Sequence, residues 1–168
     1  KGHVFRSDTD TEVLVHLIED IRKNEKATLF EAIRLSLNKV IGAYAIVVME
    51  KGENNQFIAA RKSSPLVIGI GDGEYFVASD ASPIIEYTRN VVYLGDGEIA
   101  IINKDEDLQI KTISNISKTP YIDELSLSLD SIEKGGFDHF MLKEICEQPK
   151  SILETLRGRI GSKDKEVK

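Results

Sequence analysis

AYAIVVMEK (43–51) and NQFIAARK (55–62) decide what kind of fold this chain adopts. Both runs are rich in β-forming residues, and Gly52-Glu53-Asn54 between them is a hairpin signal. The first run is apolar at nearly every position. A strand that alternates polar and apolar residues covers one face, whereas one without alternation expects cover on both. Downstream, PLVIGIG (65–71), EYFVASD (74–80), NVVYLGD (90–96), GEIAIIN (97–103) and DLQIKTIS (107–114) continue as short strands separated by turns. Upstream, Val13, Leu14, Leu17, Ile18 and Ile21 recur at helical spacing and predict an amphipathic helix over 10–24. A second helix is expected from Thr28 to Val40. Two helices followed by an antiparallel meander of about seven strands belong to a layered α+β fold. Two helices cover one sheet face, so the other is expected to be bare and to want a missing half.

The rest of the chain is less regular. Ala81 to Thr88 has room for one or two helical turns. Residues 115–136 are polar and read as a loop. From Phe137 a helical stripe resumes (Phe137, Met141, Ile145, Ile152, Leu156, Ile160), interrupted at Pro149, and is expected to be buried against the bare sheet face or a second copy.

Composition excludes several classes. Of 168 residues, 41% are hydrophobic and 30% charged, as in folded globular proteins. With 22 basic and 28 acidic residues the net charge is −6, which argues against general affinity for nucleic acid or an anionic membrane surface. No apolar run approaches the roughly 20 residues needed to cross a bilayer. The start KGHVFR has no apolar stretch of signal-peptide type. The single cysteine, Cys146, rules out an internal disulfide and suits a reducing compartment, so a cytoplasmic location is expected. The chain begins at a lysine rather than a methionine, which points to a cut piece of something longer.

Chemistry-bearing residues are few. RSDTDTEVLVHLIEDI (6–21) supplies six hydroxyl or acidic residues, Ser7 to Glu12, at the start of a helix that needs one or two acceptors. Thr9-Asp10-Thr11-Glu12 fits a capping box, with Thr9 as N-cap and Glu12 reaching back. Asp10 is then either an acid favoured by the helix dipole or a carboxylate facing a cleft to hold a cationic group. GIGDGEYFVASD has the glycines of a phosphate loop, but they join two strands, so a hairpin turn is expected. His3, His16 and His139 look too scattered for a metal set. Cys146 sits in a helical pattern with only Lys143 near it and is expected to be a bystander. Ser63-Ser64 lacks the nucleophile-elbow glycines. Local chemistry alone names no enzyme.

Longer stretches do. FRSDTDTEVLVHLI, GAYAIVVM, ARKSSPLVIGIGDGEYFVASDASPIIEYT, VVYLGDGEIA and EKGGFDHFMLKEICEQPKSI resemble one family, the glutamine–fructose-6-phosphate aminotransferases (isomerising), or glucosamine-6-phosphate synthases. The resemblance covers residues 3 to 160. HFMLKEICEQP separates it from other class II amidotransferases such as the purine-pathway phosphoribosyl enzyme. It implies part of an N-terminal-nucleophile hydrolase fold, α/β/β/α with two antiparallel sheets between helical layers. Residues 1–136 then correspond to the C-terminal portion of the glutaminase domain, and 137–168 to a linker helix leading toward isomerase domains. The family releases ammonia from glutamine and uses it to turn fructose 6-phosphate into glucosamine 6-phosphate.

The same resemblance places Asp10 on the α-ammonium of substrate glutamine. Asp8 stands where many members carry glutamate. The family nucleophile is an amino-terminal cysteine whose own amine is the general base. Here Lys1 comes first, so the expectation is a fragment with no catalytic residue, no metal and no cofactor. Its partners are expected to be glutamine through a partial site, fructose 6-phosphate only in the absent domains, and further copies of itself in a homo-oligomer. The alternatives are a stand-alone binding or regulatory module keeping the fold, or a fragment of another class II amidotransferase.

Overall fold

A computed structural model of the chain describes residues 2–52, 55–104, 106–125 and 136–156. They fall into two units, within residues 1–126 and 127–168, taken in turn below.

In the first unit, helix α1 (Asp10–Glu25) and helix α2 (Leu29–Leu37) precede all the strands. The Thr28 hydroxyl caps α2 by accepting from the Glu31 amide at 3.2 Å. Arg34, paired with Glu31 at 2.8 Å, also donates to the Ile113 carbonyl at 3.1 Å and so ties α2 to the sheet below it.

Strand β1 (Tyr44–Met49) pairs antiparallel with β2 (Gln56–Lys62), as the opening stretch predicts, although Glu53 and Asn54 of the turn lie outside the described residues. The remaining strands are β3 (Val67–Ile70), β4 (Tyr75–Ala78), β5 (Asn90–Tyr93), β6 (Glu98–Asn103), β7 (Gln109–Thr112), β8 (Ser117–Lys118) and β9 (Asp123–Glu124). They do not form one meander. One sheet has the order β1-β2-β6-β7-β8 and the other β4-β3-β5-β9.

Three apolar layers result. On one face of the first sheet, Tyr44, Ile58, Ala60 and Ile99 meet Ile18 and Ile21 of α1 and Leu29, Ala32, Ile33 and Leu37 of α2. On its other face, Ala59, Ala100, Ile102 and Ile110 meet Leu66, Ile68, Val92 and Leu94 of the second sheet. Each large apolar side chain so buried contributes roughly 1.5–3 kcal/mol. The outer face of the second sheet buries Val67 and Val91, where residues 81–88 lie across it as a pair of turns with Ile84 and Ile85 buried. Thr88 fixes that segment by donating to the Ile70 carbonyl at 2.6 Å.

The expectation of a bare second face is therefore corrected. Later strands of the same chain cover it by stacking as a second sheet. What stays uncovered is narrower: Val47 and Met49 on edge strand β1 are 48% and 64% exposed, although Val47 pairs with buried Ala59. The α+β layering itself stands, with helices, sheet, sheet and a turn-rich segment in succession. The glycine-rich stretch is the β3–β4 hairpin, with Gly73 at φ +69° and the Gly71 amide donating to the Glu74 carbonyl at 2.9 Å.

In the second unit, helix α3 (Phe140–Leu156) runs through Pro149 without a break. Met141, Ile145 and Ile152 are exposed on it in the single chain, which leaves burial against a second copy untested. The Leu156 side chain, Ile160, the loop residues 126–135 and the charged tail lie outside the described residues.

Gly69 tests the packing of the 81–88 segment. A Cβ there would meet Ile84 Cγ2 at 2.5 Å and Thr88 Cγ2 at 3.0 Å. Gly69→Ala is expected to destabilise by about 1–3 kcal/mol, as overpacking does. Urea denaturation reads it as a lower midpoint at unchanged slope.

Candidate functional site

The start of α1 is held by a hook that the sequence did not show. Thr9 is the N-cap, with extended backbone at φ −91° and ψ 143°, but its side chain makes no bond to the helix. Its hydroxyl lies instead 2.9 Å from the Ser7 hydroxyl. Glu12 reaches back past Thr9, accepting from the Arg6 amide at 2.8 Å, the Ser7 amide at 2.7 Å and the Ser7 hydroxyl at 2.5 Å. The capping-box expectation is thus right about Glu12 reaching back and wrong about both partners. Bonds to an ionised carboxylate are stronger than those to a neutral hydroxyl, and here they fold residues 6–7 onto the first turn. The Ser7 hydroxyl, then the Arg6 amide, lower the Glu12 pKa to about 2.

With Glu12 so engaged, Asp10 has no structural task. It occupies the first position of α1, exposed, with no hydrogen bond or ion pair to any described residue. Asp8, two residues earlier and outside the helix, is also exposed. A carboxylate there adds favourable charge at the positive end of the helix and is open to an incoming cation. The grooves beside Arg22, Glu50 and Gln56, and beside Glu74, Tyr75 and Glu106, do not include it.

The histidines are not as scattered as their numbers suggest. The fold back at residues 6–9 brings His3 onto α1, where its ring lies 4.5 Å from that of His16. Phe5 packs edge-on against His16, with ring centroids 5.0 Å apart. Glu19, one turn further along α1, is 3.7 Å from His16 Nδ1. The signal in the sequence was half present, because His16 and Glu19 are spaced i, i+3. The approach of His3 depends on the Glu12 hook and had no sequence signature. His139 belongs to the second unit.

Other candidates stay apart. Cys146 is exposed on α3. Ser63 has φ +61°, and its amide donates to Asp96 at 3.0 Å, beside the Arg61–Asp96 ion pair at 2.6 Å. That cluster joins the two sheets and holds the Asp96 pKa down, first through the Ser63 amide.

Residues 1–86 match the family model described as a glutamine amidotransferase domain. Over 161 residues the chain is 55% identical to the glutamine–fructose-6-phosphate aminotransferase [isomerizing] of Bacteroides thetaiotaomicron, covering 96% of the chain and 26% of the relative. It is 54% identical over 161 residues to the protein of that name in Chlorobaculum tepidum, covering 95% of the chain and 26% of the relative. For Pyrococcus horikoshii the identity is 48% over 162 residues, covering 95% of the chain and 27% of the relative. The chain thus spans about a quarter of the length of the curated relatives it matches.

The Glu12 hook has a pH dependence. With its pKa lowered from 4.5 to about 2 on folding, its stabilisation is complete above pH 4.5 and lost as the pH falls through 2. The melting temperature of Glu12→Gln is expected to lie below that of the parent chain near neutrality. The gap should close as both are melted at pH values descending toward 2.

Proposed function

The chain belongs to the glutamine amidotransferase domain family, and from that membership we propose that it carries part of a glutamine site with Asp10 as the anchor for the substrate α-ammonium. The single observation that carries this reading is the division of work at the start of α1. Glu12 holds the chain there, and Asp10 is left exposed without a partner. An ammonium donates up to three hydrogen bonds, and a free carboxylate at a fixed helix terminus accepts them in a set direction. Binding the amino-acid end of glutamine at this point leaves the amide end to groups elsewhere.

The parent activity proposed is transfer of the glutamine amide nitrogen to fructose 6-phosphate, giving glucosamine 6-phosphate and glutamate. It rests on relatives of that name that match nearly the whole chain. Residues 1–136 are proposed as the glutaminase portion and 137–168 as a link toward sugar-isomerase domains, in a cytoplasmic homo-oligomer. None of the described residues is assigned to the covalent step. Acyl transfer from glutamine needs an activated nucleophile and donors for the oxyanion. The one thiol, Cys146, lies exposed in the second unit.

Two measurements test this. In a protein carrying this sequence with a working glutaminase, Asp10→Asn is expected to raise the glutamine KM about ten-fold or more, the equivalent of a charge-assisted contact of roughly 1.5–3 kcal/mol. Asp8→Asn serves as the neighbouring control. An Asp10 variant with unchanged KM would remove the assignment. The 168-residue polypeptide by itself is expected to release no glutamate from glutamine, with or without Cys146→Ser. Turnover that disappears with that substitution would make Cys146 a nucleophile.

A further inference from the structure

We propose that His3, His16 and Glu19 form a binding site for a divalent transition-metal ion of the zinc class. One ligand atom from each of the three lies within 4.8 Å of the other two. Two imidazoles and one carboxylate are a donor set that zinc takes up while keeping a coordination position open. Bond lengths of about 2.0–2.2 Å to such donors put ligand atoms a little over 3 Å apart, so separations of up to 4.8 Å need to close by as much as about 1.5 Å. Glu19, half exposed and 3.7 Å from His16, turns from Lys23 at 4.0 Å for part of that movement, and His3 supplies the rest.

A second, independent observation points to a ligand here. Both ring nitrogens of His16 are buried and, among the described residues, neither has a close hydrogen bond, only a carboxylate at 3.5 or 3.7 Å. Buried polar atoms are nearly always satisfied, and an orphaned pair in an otherwise well-bonded fold marks a place where an ion or water belongs. The two nitrogens also face different groups. Nδ1 looks toward Glu19 Oε2 at 3.7 Å, and Nε2 toward Glu12 Oε1 at 3.5 Å. With the metal on the Nδ1 side, Glu12 stands where an orienting carboxylate stands behind a ligating imidazole. His3 has the same kind of neighbour, since its Nε2 lies 4.0 Å from Asp20. The histidines are held before any ion arrives, by the ring contact between them and by Phe5 edge-on to His16. Neutral imidazole and carboxylate select zinc, nickel or copper over calcium and magnesium, which prefer all-oxygen shells.

The rival account is an ion pair in which a protonated His16 sits between Glu12 and Glu19 and binds no metal. Zinc chloride titrated into the 168-residue chain carrying Cys146→Ser separates the two, because that substitution removes the exposed thiol as a competing ligand. One equivalent of Zn²⁺ is expected to bind and to raise the melting temperature. His3→Gln, His16→Gln and Glu19→Gln should each weaken binding ten-fold or more. His3 and Glu19 lie outside the apolar core, so their variants keep the test sound if His16→Gln fails to fold. No stoichiometric binding, or full affinity retained in His3→Gln or Glu19→Gln, overturns the proposal.

Discussion

Ala59 and Ala100 face one another across β2 and β6, both fully buried, on the side of the first sheet that meets the second. Sheets stack about 10 Å apart when the side chains between them interdigitate. Two small residues at the middle of the contact let Ile68, Val92 and Leu94 of the opposing sheet settle in. The stack also decides how the chain is routed. It leaves the first sheet after β2, enters the second at β3, returns between β5 and β6, and crosses once more between β8 and β9. The first two crossings are bound side by side: Arg61 donates to the Leu94 carbonyl at 2.9 Å, and the Leu94 amide donates to the Leu66 carbonyl at 3.1 Å. The Gly97 amide closes the set by donating to the Arg61 carbonyl at 3.0 Å.

That arrangement leaves the first sheet one free face for helices, and α1 is fastened to it mainly by its later turns. Ile18 and Ile21 are buried, whereas Val13 and Val15 are 53% and 50% exposed. Leu14 and Leu17 pack on the same core only partly buried, and the chain before α1 needs a further restraint. Glu12 supplies it by tying residues 6 and 7 to the first turn. Both the exposure of Asp10 and the meeting of His3 with His16 follow from that one carboxylate.

Local chemistry made several elements legible. The start of α2, the period of α1, the β3–β4 turn and the β1–β2 pairing all depend on residues close in sequence and formed where expected, although α2 ends at Leu37 rather than Val40. The split of the strands into two sheets did not declare itself. Dense apolar runs such as AYAIVVME show that both faces are wanted in a core, but not which other strand supplies the cover. Hence the bare face inferred from the strand count was filled by strands already counted. Met141, Ile145 and Ile152 show the converse, because a helical stripe predicts a face that can be buried and says nothing of whether this chain buries it. At the candidate site, the residues alone separated Glu12, reaching back, from Asp10, which was left as either a helix-start acid or a cation-binding carboxylate. The resemblance chose the second for Asp10, and the geometry showed Glu12 engaged and Asp10 exposed. The histidine cluster required a chain reversal that no spacing rule describes.

The presence of several acceptors at one helix start has a physical logic. A helix N-terminus attracts any carboxylate near it, so a binding residue placed there competes with its own tendency to cap. A lone aspartate would be drawn onto the amides and would have to give them up to take a ligand. Here, among the described residues, no side chain caps the α1 amides: Glu12 takes the Arg6 and Ser7 amides upstream with its two oxygens, and the Thr9 hydroxyl donates to that of Ser7, which donates to Glu12. Asp10 can then gain a cation without losing a structural bond, and the helix start need not move when it does. The bonds that fold residues 6 and 7 onto α1 belong to Glu12, so a cation on Asp10 leaves them in place.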